Sequence, residues 1–199
     1  MKEGRKDFNS CLVDLQRRIS EGDEHAFEEI YSHYHKKLTA FSKNFLRSTE
    51  LAEEVVEDVF VKLWSKREDI IHINNLTTYL YSATKNRSLN ALSQEARRLV
   101  TESLEISDSD MKAESYTPHD LLVTSEMMQL MQQTLELLPK RCKLIFRLIR
   151  EDGLKYKEVA EILNISVNTI DAQMAIAVKR LCAALSVDKS KKDRVHLPG

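Results

Sequence analysis

LKYKEVAEILNISVNTIDAQMAIAVKRL, Leu154 to Leu181, carries the pattern of two short helices joined by a tight turn. Val159, Ala160 and Leu163 share one face of the first helix, and Ile165, Ile170 and Met174 are placed to complete a small core. Ala160 is small enough to let two helices cross closely. Asn164 stands where such turns usually have glycine, and asparagine is the commonest other residue to accept the left-handed backbone conformation required there. Ser166 then caps the second helix, its hydroxyl meeting a free backbone N–H of Asn168 or Thr169. These features predict a helix-turn-helix from Lys155 to Leu181.

Upstream of it, Leu121 to Leu137 reads as a helix, and Pro139 sits where a first helical turn tolerates it. Leu144, Ile145, Leu148 and Ile149 follow, with a stop at Gly153. VTESLEISDSDMKAESYTPHD, Val100 to Asp120, is rich in Ser, Thr and acids and lacks helical periodicity, so the stretch beyond Arg98 reads as a flexible linker closed by Pro118. Before the linker, Phe27, Ile30, Tyr31, Tyr34, Leu38, Phe41 and Phe45 form one stripe of a helix over Asp23 to Phe45. A second helix, Glu50 to Lys66, turns Ala52, Val55, Val56, Val59, Phe60 and Leu63 inward, with acids early and cations late, as the helix dipole favours. Asp69 to Asn75 reads as a loop. A third helix begins near Leu76 with Leu76, Tyr79, Leu80 and Ala83 inward, then becomes too polar for a plain core helix; Arg97 and Arg98 end it. The tail from Val187 to Gly199 is polar and is expected to be disordered.

The fold class is therefore all-α, with two small helical domains joined by a flexible linker. Scarce Gly (4) and Pro (3) with 31% charged residues suit amphipathic helices better than turn-rich β structure. No stretch approaches the roughly 20 apolar residues that span a bilayer, and MKEGRKDFNSCLVDL lacks the apolar run of a secretory signal, which points to a cytoplasmic protein without membrane insertion. Cys11, Cys142 and Cys182 are odd in number and form no C-x-x-C pair, so they read as small hydrophobes in or near cores. His33 and His35 fall on different helical faces, and no ligand set, nucleophile motif or phosphate loop emerges: no metal, no cofactor and no catalytic residue is expected.

A net charge of −1 gives no global sign of a nucleic-acid binder. The charge is uneven, however, with the acids gathered between Leu99 and Ser125 and a basic excess from Glu126 to Leu185. The second helix of a helix-turn-helix lies in the major groove with its N-terminal side chains on base edges. Ser166, Val167, Asn168, Thr169, Ala172 and Gln173 are the candidates for that readout, and Lys179 and Arg180 suit phosphate contacts. An ordinary αα-hairpin with a polar outer face is the alternative for this segment taken alone.

The remaining motifs narrow the choice. D-x-x-A-F-E-x-I-Y-x-x-Y at Asp23 to Tyr34, A-E-E-V-V-E-D-V-F-V-K-L-W at Ala52 to Trp64 and Y-L-Y-S-A-T-K-N-R-S-L-N at Tyr79 to Asn90 resemble the polymerase-binding and promoter-melting domain of extracytoplasmic-function RNA polymerase sigma factors. L-P-K-R-C-K-L-I-F-R-L at Leu138 to Leu148, with the helix-turn-helix after it, resembles their second domain. The resemblance spans Asp23 to Leu185 and implies an N-terminal extension (1–22), a region 2 domain (23–98), an acidic linker (99–120), a region 4 domain (121–186) and a disordered tail (187–199).

By that resemblance Glu54, Glu57, Asp58 and Val61, on the helix face opposite the apolar stripe, dock on core RNA polymerase. The family more often has Gln-Glu or Gln-Asp where this chain has Glu57-Asp58. Ile73, Asn74 and Asn75 would line the pocket for a flipped base of the −10 element, and Tyr79, Lys85, Asn86, Arg87 and Asn90 would contact bases and backbone of the melted strand. Tyr79 also fits the inward stripe, and both roles stay open for it. The implied partners are core polymerase, duplex −35 and melted −10 promoter DNA, and an anti-sigma factor. The acidic linker suits polymerase channels lined for nucleic acid. In the recognition helix the family often has Lys before the Thr and Asn-His after the acid, where this chain has Asn168 and Ala172-Gln173, so −35 binding is expected to be weak or of altered preference. The rival reading is a regulator that binds a two-fold symmetric duplex site without polymerase; an all-helical interaction module would leave the order of the motif blocks unexplained.

Overall fold

The computed structural model describes residues 3–46, 48–102 and 125–194 of the chain. The described residues form helices and no strand: α1 (Glu3–Ser20), α2 (Glu24–Ser42), α3 (Thr49–Ser65), a 3₁₀ turn (Arg67–His72), α4 (Leu76–Glu102), α5 (Ser125–Glu136), α6 (Lys140–Arg150), α7 (Tyr156–Leu163) and α8 (Val167–Arg194). The chain divides into two compact units, Met1–Met111 and Lys112–Gly199. No helix among the described residues is long and apolar enough to cross a membrane.

In the first unit α2 packs on α1, α3 and α4, and α3 packs on α4. All six residues expected inward on α3 are buried, as are Ile30, Tyr34, Leu38 and Phe41 of α2. Phe27 and Tyr31 are only half-buried because they lie against α3, where Phe27 meets Phe60 and Trp64 and Tyr31 meets Phe60. Ser48 starts α3 by accepting the N–H of Leu51, and Asp23 starts α2 by accepting those of His25 and Ala26.

Four differences from the sequence reading have identifiable causes. Residues 1–22, read as an extension, contain α1, which packs on α2 and on the 3₁₀ turn; Leu15, Gln16 and Ile19 are buried there. Gly22, at φ +93°, makes the corner to α2, and Asp23 fastens it, one carboxylate oxygen capping α2 and the other pairing with Arg18 at 2.8 Å. These bonds to Ala26 and Arg18 hold the Asp23 carboxyl below its ordinary pKa. Residues 69–72, read as loop, are part of the 3₁₀ turn, because Ile70 is fully buried beneath α1. On α4 the buried residues are Leu76, Thr78, Leu80, Tyr81, Thr84 and Ser88, whereas Tyr79 is exposed and Ala83 half-buried. Of the polar members, Ser88 has partners, meeting Ser42 at 2.8 Å and donating to the backbone carbonyl of Thr84, whereas the buried Thr84 hydroxyl makes no hydrogen bond. Finally, α4 continues through Glu102, so Arg97 and Arg98 lie within it rather than at its end.

Of the linker expected over 99–120, residues 103–120 lie outside the described residues. Of the tail expected to be disordered, residues 187–194 belong to α8, and 195–199 lie outside the described residues.

In the second unit α8 packs on α5, α6 and α7. Val159, Ala160, Ile162, Ile170, Met174, Ala177 and Leu181 are buried, so Ile162, rather than Leu163, completes the face of α7. Asn164 has φ 55° and ψ 53°, the left-handed conformation expected of it, and Ser166 accepts the N–H of Thr169 at 3.1 Å. Gly153, at φ +77°, turns the chain after α6. Cys142 is buried and donates to the carbonyl of Gln173, whereas Cys11 and Cys182 are exposed, contrary to the core placement expected for them.

Candidate nucleic-acid interface

The outer face of α3 presents Glu54, Glu57, Asp58 and Val61 together, since steps of three, one and three residues keep them on one side of a helix. Val61 is 66% exposed, an apolar side chain standing amid carboxylates. Glu57 is tied to α2: it accepts a hydrogen bond from the Tyr31 hydroxyl at 2.6 Å and lies 3.2 Å from His35 Nε2. Burial, followed by the bond to Glu57, pushes the Tyr31 hydroxyl up to about 12, so it remains a donor at any physiological pH. Asp58 forms an ion pair with Arg87 of α4.

That ion pair closes one side of a groove between α3 and α4 lined by Asp58, Val59, Lys62, Tyr79, Ser82, Ala83, Asn86, Arg87 and Asn90. The α4 members recur at three- and four-residue steps, so they form the outward face of the helix whose other side carries Leu80, Tyr81, Thr84 and Ser88. An aromatic ring, amides and cations on one groove are the chemistry that holds unstacked bases and their phosphates. Tyr79, for which two roles were open, lies on this outer face. Lys85 is half-buried and Asn90 exposed.

The segment entering α4 is tightly held. Ile73 closes the 3₁₀ turn, its N–H donating to Ile70 at 3.1 Å. Asn75 caps α4 by accepting the N–H of Thr78 at 3.0 Å, a structural duty beside any contact with a base. Asn74, between them, is exposed. The buried amide of Gln16 reaches this segment from α1, donating to the carbonyls of Ile70 and Ile73.

In the second unit Ser166, Val167, Asn168 and Ala172 are exposed at the start of α8, with Thr169 and Gln173 half-buried. Gln173 uses its carbonyl to accept from Cys142, which leaves its side-chain amide outside that bond. Lys179 and Arg180 are exposed two turns further on, and Arg180 also donates to the carbonyl of Leu137 at 3.4 Å.

Residues 30–98 match the family model of sigma-70 region 2, and residues 128–181 match that of sigma-70, region 4; together they take in more than half of the chain, one in each structural unit. This chain belongs to the sigma-70 family. The ECF RNA polymerase sigma-E factor of Haemophilus influenzae is 26% identical over 170 residues, covering 80% of this chain and 87% of the relative. That of Escherichia coli K12 is 24% identical over 166 residues, covering 80% and 86%. Among solved structures, RpoE from Bartonella quintana in complex with the anti-sigma factor NepR aligns with TM-score 0.57 at 23% identity, covering 81% of this chain and 98% of that one. CnrH in complex with the cytosolic domain of CnrY aligns with TM-score 0.52 at 18% identity, covering 88% and 97%. The chain is thus a sigma factor of the extracytoplasmic-function type, a promoter-directing initiation factor that performs no chemistry of its own.

For the groove between α3 and α4 and the segment entering α4, sequence reasoning missed Lys62 and Ser82, which lie on the same groove as the named residues, and Gln16, which lies 54 residues before its first partner. The facing position of Lys62 followed from helical spacing, since it lies one turn beyond Asp58. Nothing in the sequence pointed to Gln16.

Proposed function

We propose that this sigma factor docks on core RNA polymerase through Glu54, Glu57, Asp58 and Val61, and holds the melted −10 strand on Ile73, Asn74, Asn75, on the groove residues Tyr79, Asn86, Arg87 and Asn90, and on Lys85, which lies outside the groove lining. It reads the −35 duplex with Ser166, Val167, Asn168, Thr169, Ala172 and Gln173, and Lys179 and Arg180 contact phosphates. The observation that carries this reading is the groove itself. It places Lys62, Tyr79, Asn86 and Arg87 together directly beside the acidic outer face of α3, so one pair of helices presents a surface for protein and a surface for DNA. The protein acts in the cytoplasm, and an anti-sigma factor is its proposed inhibitory partner, since RpoE and CnrH were each solved with a bound protein and that of RpoE is an anti-sigma factor.

The test is to mix the purified chain with core RNA polymerase on fragmented genomic DNA and map transcript starts. Initiation at a defined set of sites is expected. A stable complex with a two-fold symmetric duplex and no initiation would instead establish a regulator that works without polymerase.

Within the helix-turn-helix the two kinds of contact separate. Lys179→Ala is expected to weaken binding to all promoters alike, because a phosphate contact carries no sequence information, while Gln173→Ala shifts base preference in the −35 element. Binding of the holoenzyme to a set of −35 variants distinguishes them, and equal profiles for both substitutions would refute the division.

A further inference from the structure

We propose that Gln16 is a positioning residue for −10 recognition: from α1 it sets the backbone that presents Ile73, Asn74 and Asn75 to an unstacked base. The inference rests on the assignment of those three residues to the −10 pocket. Gln16 is only 7% exposed, in a helix otherwise lined by apolar residues at this face, Leu15 and Ile19 among them. A long amide is costly to bury unless its donors are satisfied. Both hydrogens of its Nε2 are spent on one segment, to the carbonyl of Ile70 at 2.7 Å and to that of Ile73 at 2.9 Å.

These two carbonyls bracket the end of the 3₁₀ turn. The Ile70 carbonyl also receives the N–H of Ile73, so the amide joins a closed set of three hydrogen bonds that fixes where the turn stops and the extended step at Ile73 begins, φ −81° and ψ 105°. On the far side, Asn75 is fixed by capping α4. Asn74, exposed, is thereby held between two anchored neighbours. Base reading by hydrogen bonds depends on donor and acceptor positions being fixed to a fraction of an ångström before the base arrives. With Gln16 removed, the carbonyls of Ile70 and Ile73 lose their α1 partner and the segment is free to relax toward water.

The experiment uses holoenzyme reconstituted from the full chain and core RNA polymerase, incubated with a single-stranded DNA library randomised over the −10 positions. Base discrimination at each position is read as an enrichment ratio, a quantity independent of how much protein is active. The unaltered chain is expected to discriminate about tenfold or more at the position read by the pocket. Gln16→Met, which keeps the shape and removes the donors, brings that ratio toward one, and Gln16→Asn, which keeps an amide too short to reach both carbonyls, lowers it part of the way. Discrimination on a −35 duplex library stays unchanged for both. Asn74→Ala separates the two layers of the argument: flattening by Asn74→Ala but not by either Gln16 variant overturns the role of Gln16 alone. If Asn74→Ala leaves every −10 ratio unchanged, the pocket assignment fails, and the proposal with it.

Discussion

Val61→Arg is expected to weaken assembly with core RNA polymerase by roughly 30-fold or more, the loss of an interface anchor worth about 2 kcal/mol, while the free chain keeps its helical content and unfolding midpoint. Val61 is the apolar member of an otherwise acidic face and is 66% exposed, so most of its side chain is open to a partner. A buried hydrophobic contact at the centre of a charged rim is the arrangement from which protein interfaces draw most of their affinity. The arginine has water available in the free chain and none in the docked one. Fluorescence titration of labelled core polymerase measures the change; affinity within a factor of two of the unaltered chain would remove this face of α3 from the interface.

Phe60→Ala is expected to cost about 3–5 kcal/mol in the first unit, a large part of what holds a small domain together. The ring is buried and packs against Phe27 at 6.0 Å and Tyr31 at 4.8 Å between centroids, so the cavity left behind is walled by aromatic rings that cannot collapse into it without leaving α2. The chain has one tryptophan, Trp64, seated 5.0 Å from Phe27 in the same cluster, and its fluorescence therefore reports this unit alone. In urea, Phe60→Ala should move the Trp64 transition to much lower denaturant. Ile170→Ala, which opens a cavity in the second unit at a cost of about 2–5 kcal/mol, should leave that transition in place and shift only the helical signal. A Trp64 transition that responds equally to both substitutions would show that the aromatic cluster is not a local reporter.

Periodicity was readable where one helix face is uniformly apolar. On α3 the inward residues, the early acids and the late cations all agree, and every inward residue is buried. The turn of the helix-turn-helix was readable for a different reason: few residues other than glycine accept positive φ, and Asn164 is one of them. α4 misled because its core face is partly polar. Ser88 buries by bonding to the Thr84 carbonyl on its own helix and to Ser42 on α2, and Thr84 buries a hydroxyl beside it, neither of which leaves an apolar signature. α1 escaped notice because its stripe of Phe8, Leu12, Leu15 and Ile19 is short, shares its face with the polar Gln16 and stands outside the motifs that carry the family resemblance. The pairings of Glu57 with Tyr31 and of Asp58 with Arg87 join residues 26 and 29 positions apart, a separation on which no local pattern bears.

Asp23 has a consequence for which substitutions the chain tolerates. At Ser48 and Ser166 the cap is a single oxygen, and Thr, Asp or Asn would serve almost as well. Asp23 spends its two oxygens on different helices, one on the first N–H groups of α2 and the other on Arg18 of α1. Ser would keep the cap and release Arg18; Glu would keep the charge on a side chain too long to cap; Asn would turn an amide toward the guanidinium. Among the helix starts of the described residues compared, the corner at Gly22 and Asp23 is thus the one where sequence drift has the least room, and where two conservative-looking exchanges would unfasten different helices.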